Sequence, residues 1–401
     1  MSLVYHFVSG PGTWSEHLHQ LWGLRRADSS LAERRAALPW ALFTDLLRAG
    51  LRPRAQKKKH PQAFWHRWRL LALDGTQFSL SNTAPVLARC PKTAARRLRA
   101  AFAKISAVVL LEVGLHNPLA LAVGRRGQSE WALALGLLAQ LPKGVLLLAD
   151  RLYGCPALLA RVLDRCQAVQ SHFLIRVRRQ LKARVLEPLA DGSGWIEVAV
   201  RDRRQPRKTV RRLVLREIRA RVWRAGRGGQ ELRLWTDLLE VQSAPALELV
   251  ALYGQRWQQE LYYRQLKIDL RGGELLQSHT PQTAAQEMVA LVVASALLAQ
   301  VRAEAAGGAV PVLAISFVKL LALVRALWTV LELGQGLLSV GQQAALVRRF
   351  WQVARQRLRG RRRLARSCPR AVRQPIRGWR RKRRNQSWEG ALHIEVLAPK
   401  P

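Results

Sequence analysis

The hydrophobic and polar positions of this chain follow more than one rhythm, and the changes of rhythm divide it. Up to about residue 60 apolar residues recur at helical spacing. "SSLAERRAALPWALFTDLLRAGL" carries that pattern to Gly50, and the basic loop "RPRAQKKKHPQ" follows. "WRLLALDGTQFSL" is short, apolar and interrupted by Asp-Gly, which predicts a hairpin of two strands. "ISAVVLLEVGLHNPLALAVG" predicts two further strands joined at His-Asn-Pro, and "SEWALALGLLAQL" a helix with a serine cap. "GVLLLADRLYG" is a buried strand that stops at Asp150, "PALLARVLDRCQ" a helix and "HFLIRV" a strand. Strands followed by helix, strand, helix and strand suit a mixed α/β layer with helices covering a sheet.

Between residues 178 and 240 the pattern becomes β-rich. "WIEVAV", "RRLVLREIRARVW" and "ELRLWTDLL" are separated by "DGSG", "RDRRQPRK" and "AGRGG". This predicts an antiparallel insert between the last core strand and a helix starting near Ala244. Helices then run to about residue 355, and the segment 348–384 carries "RRFWQVARQRLRGRRRLARS" and "RGWRRKRRNQ". No internal repeat is visible.

Charge narrows the function. Of 401 residues 49% are hydrophobic, enough to bury the cores of two or three domains. Lys and Arg number 67 against 26 Asp and Glu, a net charge of +41. Such an excess repels itself and calls for a polyanionic partner: nucleic acid first, an anionic membrane surface second. The longest apolar run, Met288 to Val301, is too short to span a bilayer, and the first twenty residues do not read as a signal peptide. Cys90, Cys155, Cys166 and Cys368 are scattered, which fits a reduced cytoplasm and argues against a structural zinc site. His116 and His279 have no partners at metal-ligand spacing and are read as structural.

The tract "YGQRWQQELYYRQLK", Tyr253 to Lys267, places a single glutamate among cations and aromatics. At about 100° per residue of one continuous helix, Tyr253, Arg256, Glu260 and Lys267 fall within roughly a 60° arc, and Arg264 lies on the same face about 20° beyond Tyr253. One reading is a surface ladder, Arg256–Glu260–Arg264, worth a few tenths of a kcal/mol per pair. The other is a site where the carboxylate takes a divalent cation while the cations and the phenol grip phosphodiester oxygens.

The spacing Y-x2-R-x3-E-x6-K, preceded by "LDGTQFSL" around Asp74 and "LLLADRLYG" around Asp150, resembles the signature of the insertion-sequence-4 family of bacterial DDE transposases. The similarity continues into "LQSHTPQTAAQEMVALVVASALLAQ" and spans roughly residues 68–301. It implies an RNase H-like α/β core interrupted by the antiparallel β-insert and flanked by helical N- and C-terminal regions. The corresponding divisions are 1–66 for a helical DNA-binding region, 67–177 for the first part of the core and 178–240 for the insertion. Residues 241–301 would carry the signature helix and the helix after it, and 302–401 a helical region with a basic tail.

The resemblance also implies an activity: binding of the terminal inverted repeats of a mobile element, then metal-dependent cleavage and strand transfer, by cut-and-paste movement. In-line attack at phosphorus needs an activated water or 3′-hydroxyl and a stabilised leaving oxygen, and two divalent ions about 4 Å apart supply both. Hard cations want oxygen ligands, so Asp74, Asp150 and Glu260 are the expected catalytic and metal-binding residues, with two Mg2+ ions for which Mn2+ can substitute. Taken singly, Asp74 could open a turn and Asp150 could cap a helix. Arg151, Tyr153, Tyr253, Arg256, Trp257 and Lys267 are the expected DNA contacts. Tyr153 is balanced between packing and phosphate contact. Trp257, Trp223 and Trp235 are candidates for stacking on a displaced base, each set against core packing. Partners would be double-stranded DNA and a second copy of the chain, in a nucleoid-associated cytoplasmic protein without a membrane. The other classes are a DNA-binding protein that has lost catalysis and a nuclease of the same fold without strand transfer.

Overall fold

Trp68–Leu80 forms one unbroken strand of 13 residues, with Asp74 and Gly75 at its centre. The hairpin expected at Asp-Gly does not form. Its residues pair in continuous antiparallel register, Leu71↔Glu112 through Leu80↔Ala103, and this ladder outweighs the local turn tendency of Asp-Gly. In the computed structural model the described residues are 1–90, 92, 100–202, 204–205, 207–224, 229–273, 275–358 and 392–398. One compact unit comprises residues 1–175 and 255–358; the other comprises 176–254 and the strand at 392–397. The tract "RGWRRKRRNQ" and Cys368 lie outside the described residues.

In the first unit the strands are β1 (Phe64–Trp65), β2 (Trp68–Leu80), β3 (Ala103–Glu112), β4 (Asn117–Val123), β5 (Val145–Ala149) and β6 (His172–Arg176). The sheet runs β4-β3-β2-β5-β6, with β1 folded back on β2. β3 is antiparallel to β2 and β4, whereas β5 is parallel to β2 and β6. Parallel neighbours need crossovers, and helices α6 (Glu130–Leu138) and α7 (Pro156–Ala168) provide them. Ile105, Ala107, Val109 and Leu111 of β3 join a core shared with the helix Pro281–Ala306, while Val108 and Leu110 are buried as well. A strand buried on both faces reads as a continuous apolar run, as β5 with "VLLLA" does.

The N-terminal helices α1 (Ser2–Ser9), α2 (Trp14–Trp22), α3 (Asp28–Ala37) and α4 (Trp40–Gly50) precede the sheet, and α5 is the short turn Ala84–Arg89. Leu3, Phe7 and Phe43 bury into the same core as Met288 and Val292. The helix Pro281–Ala306 starts at Thr280, whose hydroxyl accepts from the Thr283 amide at 3.1 Å, and ends at Gly307 with φ 56. By length and composition it could cross a membrane, but 83% of its most apolar window is buried inside the protein. The basic loop after α4 is anchored rather than loose. Buried Glu112 accepts from the amides of Arg54 and Ala55 at 3.0 and 3.1 Å and pairs with Arg69. Lys57, Lys58 and Lys59 are left pointing outward.

The second unit holds β7 (Arg184–Pro188), β8 (Gly194–Arg201), β9 (Thr209–Arg224) and β10 (Gln230–Thr236) in the antiparallel order β10-β9-β8-β7, followed by α8 (Ala246–Tyr253). Its interior is held by Arg216, fully buried, which pairs with Asp191 and donates to Ser193 Oγ at 2.8 Å and to the Ala244 carbonyl at 2.6 Å. Trp235 is also fully buried and donates to Glu217 at 2.7 Å, so it packs the core and does not stack on a base. Residues 392–397 form strand β11, antiparallel to β9 from Arg219 to Arg224, where a helical C-terminal region was expected. "LHIEVL" alternates, and it takes the edge of β9 beyond the end of β8 pairing at Glu217.

Candidate active site

The parallel register of β2 and β5 ends with Leu73 opposite Ala149. The next residues on the two strands are Asp74 and Asp150, so strand pairing sets these carboxylates side by side. β5 stops there while β2 continues against β3; Asp74 is therefore mid-strand and not, as expected, at a strand end. Neither bland role survives. Asp74 opens no turn, and the helix after Asp150 is capped at Cys155, not by Asp150. Each carboxylate instead accepts from the next amide, Gly75 at 2.9 Å and Arg151 at 2.7 Å.

Glu260 arrives on α9 (Trp257–Arg264). The tract from Tyr253 to Lys267 is not one regular helix. A 3-10 turn spans Gly254–Arg256, and a π-helical turn follows at Gln265–Leu270, so 100° per residue does not carry the arc from Tyr253 to Lys267. Within it the core pairing holds. Arg256 lies 2.8 Å from Glu260 Oε1 through Nη2 and 3.3 Å from Asp74 Oδ2 through Nη1. The Arg256 side chain is 13% exposed and joins carboxylates on two elements, so a surface ladder along one helix does not account for its contact with Asp74. Arg264 points into solvent.

Two residues that the sequence reading passed over lock this geometry. Tyr263 donates its hydroxyl to the Asp74 carbonyl at 2.5 Å, and Gln259 bridges Tyr263 Oη and the Val109 carbonyl at 3.0 and 3.2 Å. Together they fasten α9 to the β2–β3 pair. Glu130, the first residue of α6, sends its carboxylate to Gly75, where a Cβ would overlap Glu130 Cδ. The same carboxylate accepts from the Tyr153 hydroxyl at 2.8 Å. The only sequence signal for Tyr263 was its place in the tract, and for Glu130 its place after the Ser129 cap; neither spacing announces a partner on β2.

The remaining expected residues divide. Tyr153, expected as a DNA contact, is wholly buried in this DNA-free structure and donates its hydroxyl to Glu130 at 2.8 Å. Arg151 is exposed beside Asp150, and Trp257 is 45% exposed. Lys267 holds its ammonium 5.2 Å from the Phe78 ring of β2. Tyr253 ends α8 in the other unit and is buried. Trp223 stacks on His393 within the second unit, ring centroids 5.7 Å apart. His116 is buried between Gln258 and Gln265, each 2.9 Å from a ring nitrogen, as a structural histidine.

Oxygen donors of this kind suit a hard divalent cation. The guanidinium held between Asp74 and Glu260 shows that the carboxylates gather positive charge. Among the described residues no three His, Cys, Asp or Glu side chains converge closely enough to hold one ion. In side-chain chemistry Asp74, Asp150 and Glu260, three carboxylates, are donors of the type such a metal takes.

Burial pushes the Asp74 carboxyl up to about 7; Arg256 and the Gly75 amide oppose the shift, and Glu130 and Asp150 add to it. The folded protein therefore holds a proton that the unfolded chain releases near pH 4. The contribution of Asp74 to stability therefore falls as pH rises from about 4 to about 7 and stays lowered above that. Asp74→Asn, which cannot ionise, should stabilise the metal-free protein by on the order of a few kcal/mol at pH 8, with the gain gone near pH 4. Urea unfolding at the two pH values measures this; equal effects at both would show that Asp74 titrates normally.

The Transposase DDE domain family model matches residues 65–297. The chain is 27% identical over 235 residues to the transposase InsG for insertion sequence element IS4 of Escherichia coli (strain K12), covering 58% of this chain and 52% of that protein. It thus spans about half the length of that relative. Among solved structures it is similar to a piggyBac transposase synaptic complex with hairpin DNA at TM-score 0.42 and 9% identity, over 70% of this chain and 56% of that one, too low a likeness to argue from. The family match runs from β1 through most of the helix Pro281–Ala306 and takes in Asp74, Asp150, Arg256 and Glu260; this chain belongs to the transposase DDE domain family.

Proposed function

We propose that this protein is a transposase that binds the terminal inverted repeats of a mobile element, cleaves DNA at them and joins the freed 3′-hydroxyls to target DNA by cut-and-paste. The observation that carries the reading is the meeting of Asp74 and Asp150 on neighbouring strands with Arg256 joined to Asp74 and Glu260. The sheet order β4-β3-β2-β5-β6, with a mixed antiparallel and parallel pattern, supports an RNase H-like core. Residues 178–240 are then its insertion, 1–66 an end-recognition region, and 241–301 and 302–401 the signature and C-terminal regions.

Asp74, Asp150 and Glu260 would hold two Mg2+ ions, or Mn2+ in their place, which activate the attacking hydroxyl and stabilise the leaving oxygen. The chain's own groups do the rest. Arg151, Arg256 and Lys267 donate charge-assisted hydrogen bonds to phosphate oxygens, and Tyr253 belongs to the same contact set. Trp257, half exposed beside Arg256, offers a face for a displaced base. The partners are double-stranded DNA and a second copy of the chain that pairs the two ends, in a nucleoid-associated cytoplasmic protein.

The test is single-turnover cleavage of an inverted-repeat duplex with Mg2+, followed by strand transfer from pre-cut ends. Binding without cleavage would leave a DNA-binding protein, and cleavage without joining a nuclease. Salt tests the surface separately. With +41 net charge, duplex binding should weaken steeply with ionic strength, because each phosphate contact releases counterions. A log–log slope of magnitude below about 3 would mean few phosphate contacts and would sink the idea that this charge is a DNA surface.

A further inference from the structure

We propose that Glu130 is a positioning residue of this site, which fixes the two aspartate-bearing segments against each other and adds negative charge for the divalent cation. The inference rests on the metal-dependent reading of the site. Three observations carry it. The Glu130 carboxylate packs on Gly75, the residue after Asp74, so closely that any side chain there would overlap it. It also accepts from the Tyr153 hydroxyl at 2.8 Å, and the Tyr153 amide closes the turn onto the Asp150 carbonyl at 2.9 Å. Glu130 itself is the first residue of α6, on the crossover from β4 to β5, and Ser129 caps that helix through the Ala132 amide at 3.3 Å. One carboxylate therefore touches both the strand that carries Asp74 and the turn that carries Asp150.

The arrangement explains Gly75 without any turn. Its φ is not in the left-handed region, so backbone freedom is not what glycine supplies; room for the Glu130 carboxylate is. A neutral acceptor would satisfy Tyr153 equally well. A carboxylate brought beside Asp74, where the two repel, serves better where a cation is to be shared.

The test is Mn2+ binding by the full-length protein, followed by electron paramagnetic resonance of the free ion, with thermal unfolding in parallel. Glu130→Gln keeps an oxygen acceptor for Tyr153 and removes the charge. It should weaken Mn2+ binding about ten-fold, the scale of one charge–charge interaction in a partly solvated site, with the unfolding temperature little changed. Gly75→Ala should push the carboxylate aside and weaken Mn2+ binding in the wild-type background. In the Glu130→Gln background it should weaken it much less, because the two changes act through one contact. Asp74→Asn is the reference for the site as a whole. If Glu130→Gln binds Mn2+ like wild type while Asp74→Asn has lost it, the site stands and the role of Glu130 is overturned. If Asp74→Asn also binds like wild type, both are overturned. Additive losses from Gly75→Ala and Glu130→Gln would likewise overturn the shared contact.

Discussion

Alanine at Asp74, Asp150 or Glu260 should abolish DNA cleavage and leave inverted-repeat binding nearly intact. In the proposed reaction each change removes one oxygen donor for the divalent ions. A loss of about a thousand-fold or more corresponds to about 4 kcal/mol of transition-state stabilisation. Binding should survive because the phosphate contacts are spread over a large cationic surface, of which these three acids are no part. The three variants should also differ in stability. Asp74→Ala removes a carboxylate whose ionisation burial opposes, whereas Glu260→Ala, on the rim at 36% side-chain exposure, only releases one arm of Arg256. Single-turnover cleavage with Mg2+, set beside gel-shift affinity, measures both halves. Near wild-type cleavage by any one variant removes that residue from the catalytic set.

Arg256→Gln should slow cleavage about a hundred-fold, and Lys267→Gln about ten-fold. Arg256 has two tasks to lose. It neutralises Asp74 and Glu260 in the structure, and in the proposed complex it gives a phosphate a charge-assisted hydrogen bond worth about 1.5–3 kcal/mol. Such a loss from the transition state alone is a ten- to hundred-fold effect. For Lys267 the proposed task is the phosphate contact; its ammonium lies 5.2 Å from the centroid of the Phe78 ring. Arg264, exposed on the same helix, is the control and should change the rate less than about two-fold, as exposed surface pairs do. Equal and mild effects at Arg256, Arg264 and Lys267, with folding checked by circular dichroism, would return Arg256 and Glu260 to a stabilising pair and nothing more.

Much of this site is legible along the chain. The run "VLLLA" followed by Asp150 needs only a buried strand and a polar residue at its end, and both signals are local. Arg256 and Glu260 are spaced i, i+4, so any helix there brings them together. The alternation in 178–240 likewise announced antiparallel strands, because a period of two is a property of the strand itself.

Other features were decided elsewhere. Asp-Gly favours a turn locally, yet ten cross-strand partners on β3 hold β2 straight through it. Tyr263 and Glu130 look like a packing aromatic and a helix-starting acid; their roles come from a carbonyl and a glycine on a strand far off in sequence. Strand β11 follows a basic tract that dominated the reading of the C-terminal region, and only the edge of β9 gives it a partner. The sequence by itself determined the residue types, the periodicities and the i, i+4 pairing, all set by covalent neighbours and the geometry of one element. Which strands lie side by side, which carboxylate fills the space over Gly75 and which tyrosine ties α9 to Asp74 were decided by the tertiary structure. Those contacts join elements whose separation along the chain carries no period, and their energy exists only once the sheet has closed.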